Sequence, residues 1–186
     1  PDLIKIIDQS NRMDVIIKNV RFFSRKADFQ IRDIDLNAAI EDSLDIISKQ
    51  LEVSTIKVLK NLAVGLPKIK GDKNQLSQVF LNLIINAKDA IEGSSQHIAK
   101  KEISIKTYLD AKKKQIEVTF SDSGCGISTD NMHHIFDPFF TTKPPDKGMG
   151  MGLAIVYRVI ENHKGKISVE SKEGQGTIFK ITFPAA

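Results

Sequence analysis

The sequence predicts an α+β fold: a two-layer α/β sandwich in which a mixed sheet carries helices on one face, preceded by a long helix. Segments with apolar residues at helical spacing alternate with segments in which apolar and polar residues alternate one by one, as in strands. A glycine-rich segment at 122–150 separates two groups of these segments. With 186 residues, of which 41% are hydrophobic, the chain can bury the core of one medium domain with an appendage.

Residues 2–25 form the predicted long helix. Ile6, Met13 and Val20 stand seven residues apart, and most positions between them are charged or polar. A lone amphipathic helix of this length must bury its apolar stripe against another helix. We therefore expect a homodimer through this helix, with packing on its own domain as the alternative. Because the chain opens with proline rather than methionine, we also expect a fragment of a longer protein.

The rest of the chain predicts a single domain at 28–186, after a helical unit at 1–27. Asp72 stands where its side chain would cap the helix that follows it. A lysine run separates two alternating stretches, which predicts an exposed hairpin turn. The other predicted helices are residues 37–52 and 151–163, and the predicted strands are 55–62, 102–110, 115–124, 164–171 and 176–184.

Charge and composition exclude several classes of protein. The net charge of +4 is mild, aromatic residues make up 6% and tryptophan is missing, so we expect no nucleic-acid partner. Cys125 is the single cysteine, which rules out an internal disulfide. No apolar run reaches the roughly 20 residues of a transmembrane helix. The expected compartment is the cytoplasm, with membrane attachment of the longer parent left open.

The apolar stretch FLNLIINAKDA carries Asn82 and Asn86 four residues apart, with Asp89 three residues further on. Asparagine is unfavourable inside a helix, because its amide competes for backbone hydrogen bonds. These three side chains lie along one stripe of the predicted helix. The stretch alone leaves two interpretations open: a solvated helix face or a polar site.

Asp122 lies near the end of a predicted strand and is followed by Gly124 and Gly126. Glycines allow close approach of a ligand or a positive φ, and the carboxylate can accept a hydrogen bond from an exocyclic amine such as that of adenine. A polar turn closed by the aspartate side chain is the alternative.

Gly148, Gly150 and Gly152 run directly into an apolar helix. The free amides and the dipole at such a helix start favour an anion, with triphosphate as the obvious candidate. The spacing fits neither the P-loop nor the dinucleotide-binding glycine motif. A plain loop before a core helix is the alternative.

Between the two glycine stretches lies IFDPFFTTKPPDKG, which predicts a lid over a site. Some of Phe136, Phe139 and Phe140 are expected to anchor it. Thr141, Thr142 and Lys143 can offer hydroxyl and ammonium donors to phosphate. His97, His133, His134 and His163 are interpreted as structural or peripheral; for His163, a positive charge would suit its place at a helix end.

Five motifs in this order resemble the catalytic, ATP-binding domain of sensor histidine kinases, within the superfamily of gyrase, heat-shock chaperone and mismatch-repair ATPases. The resemblance covers about residues 30–186. The amino-acid sequence of its third and fourth motifs is most similar to that of kinases of the nitrogen-regulation type. The motifs are Asn82-Leu-Ile-Ile-Asn86, Asp122-Ser-Gly124-Cys-Gly126-Ile127, Phe136-Asp-Pro-Phe-Phe, Gly150-Met-Gly152-Leu153 and Gly174-Gln-Gly176-Thr177.

The resemblance implies the Bergerat ATP-binding fold, with ATP and Mg²⁺ as cofactors. It implies that Asn86 ligates Mg²⁺, that Asp122 binds the adenine amine with Thr177 assisting through water, and that Lys143 neutralises phosphate charge. Asn82 stands where the hydrolases of the superfamily carry a water-activating glutamate, which an amide cannot replace. The resemblance places Asp89 near the phosphate or metal end and assigns it no direct role. The implied cofactor contacts are Asn82, Asn86, Asp89, Asp122, Gly124, Gly126, Ile127, Phe136, Thr141, Thr142, Lys143, Gly148, Gly150, Met151, Gly152, Leu153 and Thr177, with Asn82 and Lys143 as the catalytic pair.

The resemblance also implies the reaction and its partners. The γ-phosphoryl group of ATP would pass to a histidine on a helix that this chain lacks, in the same or a partner subunit, because residues 1–27 resemble the second helix of the phosphotransfer hairpin. The resemblance implies a cognate response regulator as a further partner. The rival hypotheses are an ATP hydrolase or clamp, a serine-kinase-type regulator of the same superfamily, and a pure binding module.

Overall fold

A computed structural model of the chain describes residues 30–94, 100–144 and 148–185. The predicted helix at 2–25, the division at residue 27 and His97 lie outside the described residues. The elements, in chain order, are β1 (Arg32–Ile34), α1 (Leu36–Val53), β2 (Lys57–Asn61), β3 (Ile69–Gly71), α2 (Lys73–Glu92), β4 (Glu102–Asp110), β5 (Gln115–Asp122), α3 (Gly152–Asn162), β6 (Lys166–Lys172) and β7 (Gly176–Pro184).

Five strands form the main sheet in the order β2-β4-β5-β7-β6, and β1 pairs with β3 in a separate two-stranded ribbon. β2 runs parallel to β4, whereas the other pairs of the main sheet are antiparallel. The predicted mixed sheet is therefore confirmed. The register places Asp122, at the end of β5, directly opposite Thr177 on β7.

One face of the sheet is buried against the helices. Alternate residues of β4, β5 and β7 point into this core, as period-two patterning requires. Phe80 of α2 stacks on Phe120 of β5 with ring centroids 5.7 Å apart. α2 packs between α1 and α3 and lies across β4 and β5. The two-layer α+β sandwich with helices on one face is confirmed, and α2 is its central helix.

The helices begin in two different ways. Asp35 caps α1 by accepting a hydrogen bond from the N–H of Ala38, and Asp72 caps α2 through the N–H groups of Asn74 and Gln75. The predicted cap at Asp72 is confirmed. α3 starts after Met151 without a side-chain cap. Its first N–H groups therefore carry no side-chain partner from the cap position.

The lysine run is an exposed turn between β4 and β5, as predicted. Asp110 shapes it, because its Oδ1 accepts hydrogen bonds from the N–H groups of Lys112 and Lys113, each at 3.1 Å. Within the described ranges, no helix has the length and apolarity that crossing a bilayer requires.

His163 is structural, as predicted, but the expected positive charge at this helix end is wrong. The side chain is only 4% exposed, and its Nε2 accepts a hydrogen bond from the N–H of Asp72 at 2.9 Å. Nδ1 lies 2.7 Å from the carbonyl oxygen of Val159, to which it donates. Burial lowers the pKa of His163, so the neutral ring is the favoured form.

Candidate functional site

The amide-bearing face of α2 looks onto two loops. Asn82 donates from Nδ2 to the carbonyl oxygen of Gly152 at 3.3 Å, which ties the central helix to the start of α3. A Cβ added at Gly152 would lie 3.9 Å from Nδ2 of Asn86. The stripe predicted from the sequence is therefore a polar contact surface between α2 and residues 148–152, which we call the second glycine loop.

Lys143 brings the phenylalanine-rich segment onto the same face of α2. Its ammonium lies 2.5 Å from Oδ2 of Asp89 and donates to Oδ1 of Asn86 at 3.4 Å. Thr141 Oγ1 accepts a hydrogen bond from the Lys143 N–H at 3.1 Å, and a Cβ at Gly148 would lie 2.8 Å from that same oxygen. The structure thus gathers the predicted residues Asn86, Asp89, Thr141, Lys143 and Gly148 into one cluster.

The second glycine loop depends on a left-handed glycine. Gly150 has a φ of +66°, and a Cβ there would lie 2.3 Å from the carbonyl carbon of Phe139. The carbonyl oxygen of Gly150 accepts a hydrogen bond from the N–H of Phe139 at 2.9 Å. Phe139 itself adopts a φ of +70°. The loop therefore packs backbone to backbone and leads into the uncapped start of α3.

Two phenylalanines of the segment, Phe136 and Phe140, pack against other residues, whereas Phe139 is exposed. Phe136 packs on Tyr157 of α3 with ring centroids 5.4 Å apart, and Phe140 lies 5.7 Å from the ring of His134. Both side chains also pack against the core. Phe139 is 69% exposed. Two of the three thus anchor the segment, as predicted.

Asp122 lies at the other end of the site. Its Oδ1 accepts a hydrogen bond from the N–H of Gly124 at 2.8 Å, so the turn predicted as the alternative is present as well. Burial raises the pKa of Asp122 to about 6, and backbone hydrogen bonds from Gly124 and Thr177 offset part of this effect. A carboxylate that is partly withdrawn from water is stabilised in its charged form when a ligand donates a hydrogen bond to it.

The glycines after Asp122 bring the backbone against its neighbours. A Cβ at Gly124 would lie 2.6 Å from the Cβ of Ala90 on α2, and one at Gly126 would lie 2.2 Å from the carbonyl oxygen of Lys172. Gly126 has a φ of +70°. The aspartate end of the site is thus built directly onto α2, two helical turns from Asn82.

Ser171 of β6 is a residue that the sequence prediction missed. Its Oγ accepts a hydrogen bond from the N–H of Ile127 at 2.9 Å and donates to the carbonyl oxygen of Gly176 at 2.8 Å. The hydroxyl of Thr177, 3.0 Å away and 4% exposed as a residue, is then the donor to Ser171. Ser171 continues the inward alternation of Ile167 and Val169, and this was the signal that could have revealed it.

The predicted site residues therefore form two clusters on α2. Three further predicted contacts lie between or beside them: Met151 is buried, Leu153 packs against the core, and Thr142 is exposed. No group of three or more His, Cys, Asp or Glu suitable for a metal occurs among the described residues. Asn86 Oδ1 nevertheless faces a cation, the ammonium of Lys143, and a neutral carbonyl oxygen suits Mg²⁺. The donor set fits a metal that arrives with its own phosphate ligands.

Comparison with known proteins places this geometry in a family. The family model "Histidine kinase-, DNA gyrase B-, and HSP90-like ATPase" matches residues 71–186. The match begins at the end of β3 and takes in both clusters. ATP binding is the activity that this family model implies.

Two curated relatives come from Escherichia coli strain K12. The chain is 34% identical over 176 residues to the sensor histidine kinase ZraS. This match covers 95% of this chain and 36% of ZraS. It is 35% identical over 182 residues to the signal transduction histidine-protein kinase AtoS, covering 98% of this chain and 28% of AtoS. The chain thus spans about a third of the length of these relatives.

A solved structure has the same fold. The nucleotide-free catalytic domain of histidine kinase ThkA is 27% identical, with a TM-score of 0.69, and the match covers 84% of this chain and 98% of that domain. The particular closeness to nitrogen-regulation kinases stays a prediction. The chain belongs to the histidine kinase-, DNA gyrase B- and HSP90-like ATPase family, and it carries the ATP-binding catalytic domain of a sensor histidine kinase.

Proposed function

We propose that this chain binds MgATP across α2 and presents the γ-phosphoryl group to a histidine of a phosphotransfer helix. One observation carries the proposal. The turn that follows the partly buried carboxylate of Asp122 lies against one end of α2, where Gly124 meets Ala90. The uncapped helix start at Gly152 lies against the other end, where it accepts a hydrogen bond from Asn82. Eight helical residues span about 12 Å, a distance that an extended nucleoside triphosphate can bridge.

The adenine end rests on Asp122. Its ionised carboxylate accepts a hydrogen bond from the exocyclic amine, and the N–H of Gly124 already holds one oxygen in place. Thr177 lies opposite Asp122 on β7 and assists through a bridging water. The close contacts of Gly124 and Gly126 keep side chains out of the space that the base occupies.

The phosphate end rests on the second glycine loop. The free N–H groups at the start of α3 and the helix dipole favour the triphosphate, and Lys143 supplies a positive charge. Asn86 would hold Mg²⁺ through its carbonyl oxygen, together with phosphate oxygens. The ion, when bound, neutralises charge on the phosphates. Gly148, Gly150 and Leu153 contribute backbone rather than functional side chains.

In the proposed reaction a ring nitrogen of the histidine attacks the γ-phosphorus, and the bond to the bridging β–γ oxygen breaks. ADP leaves, and the protonated imidazole loses its proton to solvent. Asn82 cannot act as a general base, and its amide already donates to the carbonyl oxygen of Gly152. This supports phosphoryl transfer over the rival hypothesis of an ATP hydrolase.

The partners belong to the same proposal. They are a phosphoacceptor helix of the same or a second subunit, a homodimer through residues 1–27, and a cognate response regulator. A solved complex of histidine kinase ThkA with response regulator protein TrrA supports the last partner, because its kinase shares the fold, with a TM-score of 0.76 and 23% identity. The match covers 97% of this chain and 49% of that one. We keep the cytoplasm, where ATP is available, as the expected location.

Calorimetric titration tests the proposal directly. We expect ATP to bind in the micromolar range, more tightly with Mg²⁺ than with EDTA, and Asp122→Ala to abolish binding while circular dichroism shows a folded protein. A phosphotransfer hairpin supplied in trans should then acquire label from γ-³²P-ATP. Absence of ATP binding by the folded wild-type chain would contradict the proposal, and fast release of inorganic phosphate without the hairpin would favour a hydrolase.

A further inference from the structure

Lys143 makes an ion pair that sets it apart from most others in the described residues. Its ammonium contacts Asp89, and the two side chains are only 33% and 31% exposed. The lysine pairs with Asp33 and Asp42 are about half exposed on both sides. Ion pairs that are partly withdrawn from water are screened less than surface pairs. The attraction between Lys143 and Asp89 is therefore screened less than that of the exposed pairs.

The same ammonium lies next to the proposed metal ligand. It donates to Oδ1 of Asn86 at 3.4 Å while it contacts Asp89. A Mg²⁺ ion needs this oxygen at about 2.1 Å, and two cations about 4 Å apart repel by several kcal/mol even at an effective dielectric constant of 20. Lys143 and a divalent ion therefore cannot use Asn86 together.

We propose that Asp89 is a positioning residue that holds Lys143 at Asn86 in the nucleotide-free protein, and that Lys143 exchanges Asp89 for the γ-phosphate when MgATP binds. The inference rests on the proposed function and assigns a role to Asp89, a site residue to which the family resemblance assigns no direct role. A diphosphate offers no γ-phosphate, so with ADP the lysine stays on Asp89.

The backbone around Lys143 suits an exchange over a short distance. Thr141 Oγ1 accepts from the Lys143 N–H, and a Cβ at Gly148 would lie 3.0 Å from the Cβ of Lys143. These contacts fix the lysine backbone while the flexible four-carbon side chain stays able to move its ammonium. Asp89 lies one turn beyond Asn86 on α2, so the two acceptors are neighbours.

A double-mutant cycle tests the exchange. The variants are Asp89→Asn, Lys143→Gln and the combination, and the measurement is the Kd of a non-hydrolysable ATP analogue and of ADP, both with saturating Mg²⁺. The Asp89–Lys143 contact lowers the affinity for a nucleotide only if that nucleotide must break the contact in order to bind. We therefore expect Asp89→Asn to raise affinity for the ATP analogue about five- to tenfold more with Lys143 present than in the Lys143→Gln background. With ADP the two effects of Asp89→Asn should agree within about twofold.

Glu92→Gln is the matched control, because Glu92 forms an ion pair with Lys88 on the same helix at 2.8 Å, outside the two clusters. It should leave both Kd values unchanged. Equal effects of Asp89→Asn in the two backgrounds with the ATP analogue would overturn the exchange, and so would the same coupling with ADP. If the folded wild type binds neither nucleotide, the proposed function fails as well, which distinguishes the two results.

Discussion

The imidazole of His163, at the end of α3, accepts a hydrogen bond from the N–H of Asp72, the residue that caps α2. The ring thereby joins the end of α3 to the start of α2, the central helix. A Cβ at Gly71 would lie 2.4 Å from the ring, so the neighbouring glycine is part of the same contact. The relative position of α2 and α3, which carry most of the proposed phosphate end of the site, therefore depends on a neutral histidine.

This relationship predicts a pH-dependent stability. Burial lowers the pKa of His163 below its usual 6.5, while the nearby Asp72 carboxylate acts in the opposite direction. The folded state therefore binds the proton less readily than the unfolded state, and the stability present above pH 6.5 is lost as the pH falls below it. We therefore expect the His163-dependent part of the free energy of unfolding to be smaller at pH 5.5 than at pH 7.5, measured by urea denaturation.

The control for this prediction is His163→Gln, which cannot titrate. Asp122 contributes in the opposite direction in the same pH range, so the informative quantity is the difference between the two proteins. The stability of the wild type should fall more steeply than that of His163→Gln between pH 7.5 and 5.5. Parallel pH profiles would show that His163 is not the group responsible.

Asp122→Asn is expected to stabilise the fold and to weaken ATP binding strongly. Burial raises the pKa of Asp122 to about 6, so ionisation above that pH destabilises the folded state. Asparagine keeps an oxygen for the N–H of Gly124 without the charge. We expect a gain of about 1–3 kcal/mol at pH 7.5 and a smaller gain at pH 5, by urea denaturation. A less stable variant at pH 7.5 would contradict the assignment.

Ser171→Ala should loosen the adenine end of the site. The change removes one acceptor and one donor that hold Ile127, Gly176 and Thr177. Unpaired buried backbone groups cost about 1–3 kcal/mol, and we expect roughly tenfold weaker ATP binding. Ser168→Ala, on the same strand but exposed, should change both quantities little. Equal effects of the two substitutions would argue against the Ser171 network.

Comparing Gly150→Ala with Gly65→Ala distinguishes the cost of a steric contact made by the added Cβ from the cost of a positive φ. Both glycines have a positive φ, +66° and +74°, so alanine costs about 1 kcal/mol at each. At Gly65 nothing lies within 4 Å of an added Cβ, whereas at Gly150 it would meet the backbone of Phe139 and Phe140. We expect Gly150→Ala alone to lose about 1–3 kcal/mol more and to weaken nucleotide binding, by denaturation and calorimetry. Similar losses at both positions would contradict the packing of this loop.

The sequence was sufficient where the signal is local. Helix and strand periodicity predicted α1, the β4–β5 hairpin and the apolar start of α3, and Asp72 was recognisable as a cap from its position alone. The glycine motifs were recognisable from their spacing alone, although the structure shows that Gly124 and Gly126 contact distant segments of the chain. Long-range choices were weaker: Ser171 was overlooked, and His163 was expected to be charged, because a helix end looks the same in sequence whether it is buried or exposed.

The sequence by itself determined the order of the elements, the face of α2 that bears Asn82 and Asn86, and the family to which the ATP-binding domain belongs. These follow from side-chain periodicity and turn chemistry, which act over a few residues. Only the tertiary structure decided that Lys143 pairs with Asp89, 54 residues away, that Ser171 joins three segments around Thr177, and that His163 is neutral. Burial and charge pairing depend on which elements pack together, and no local pattern carries that information.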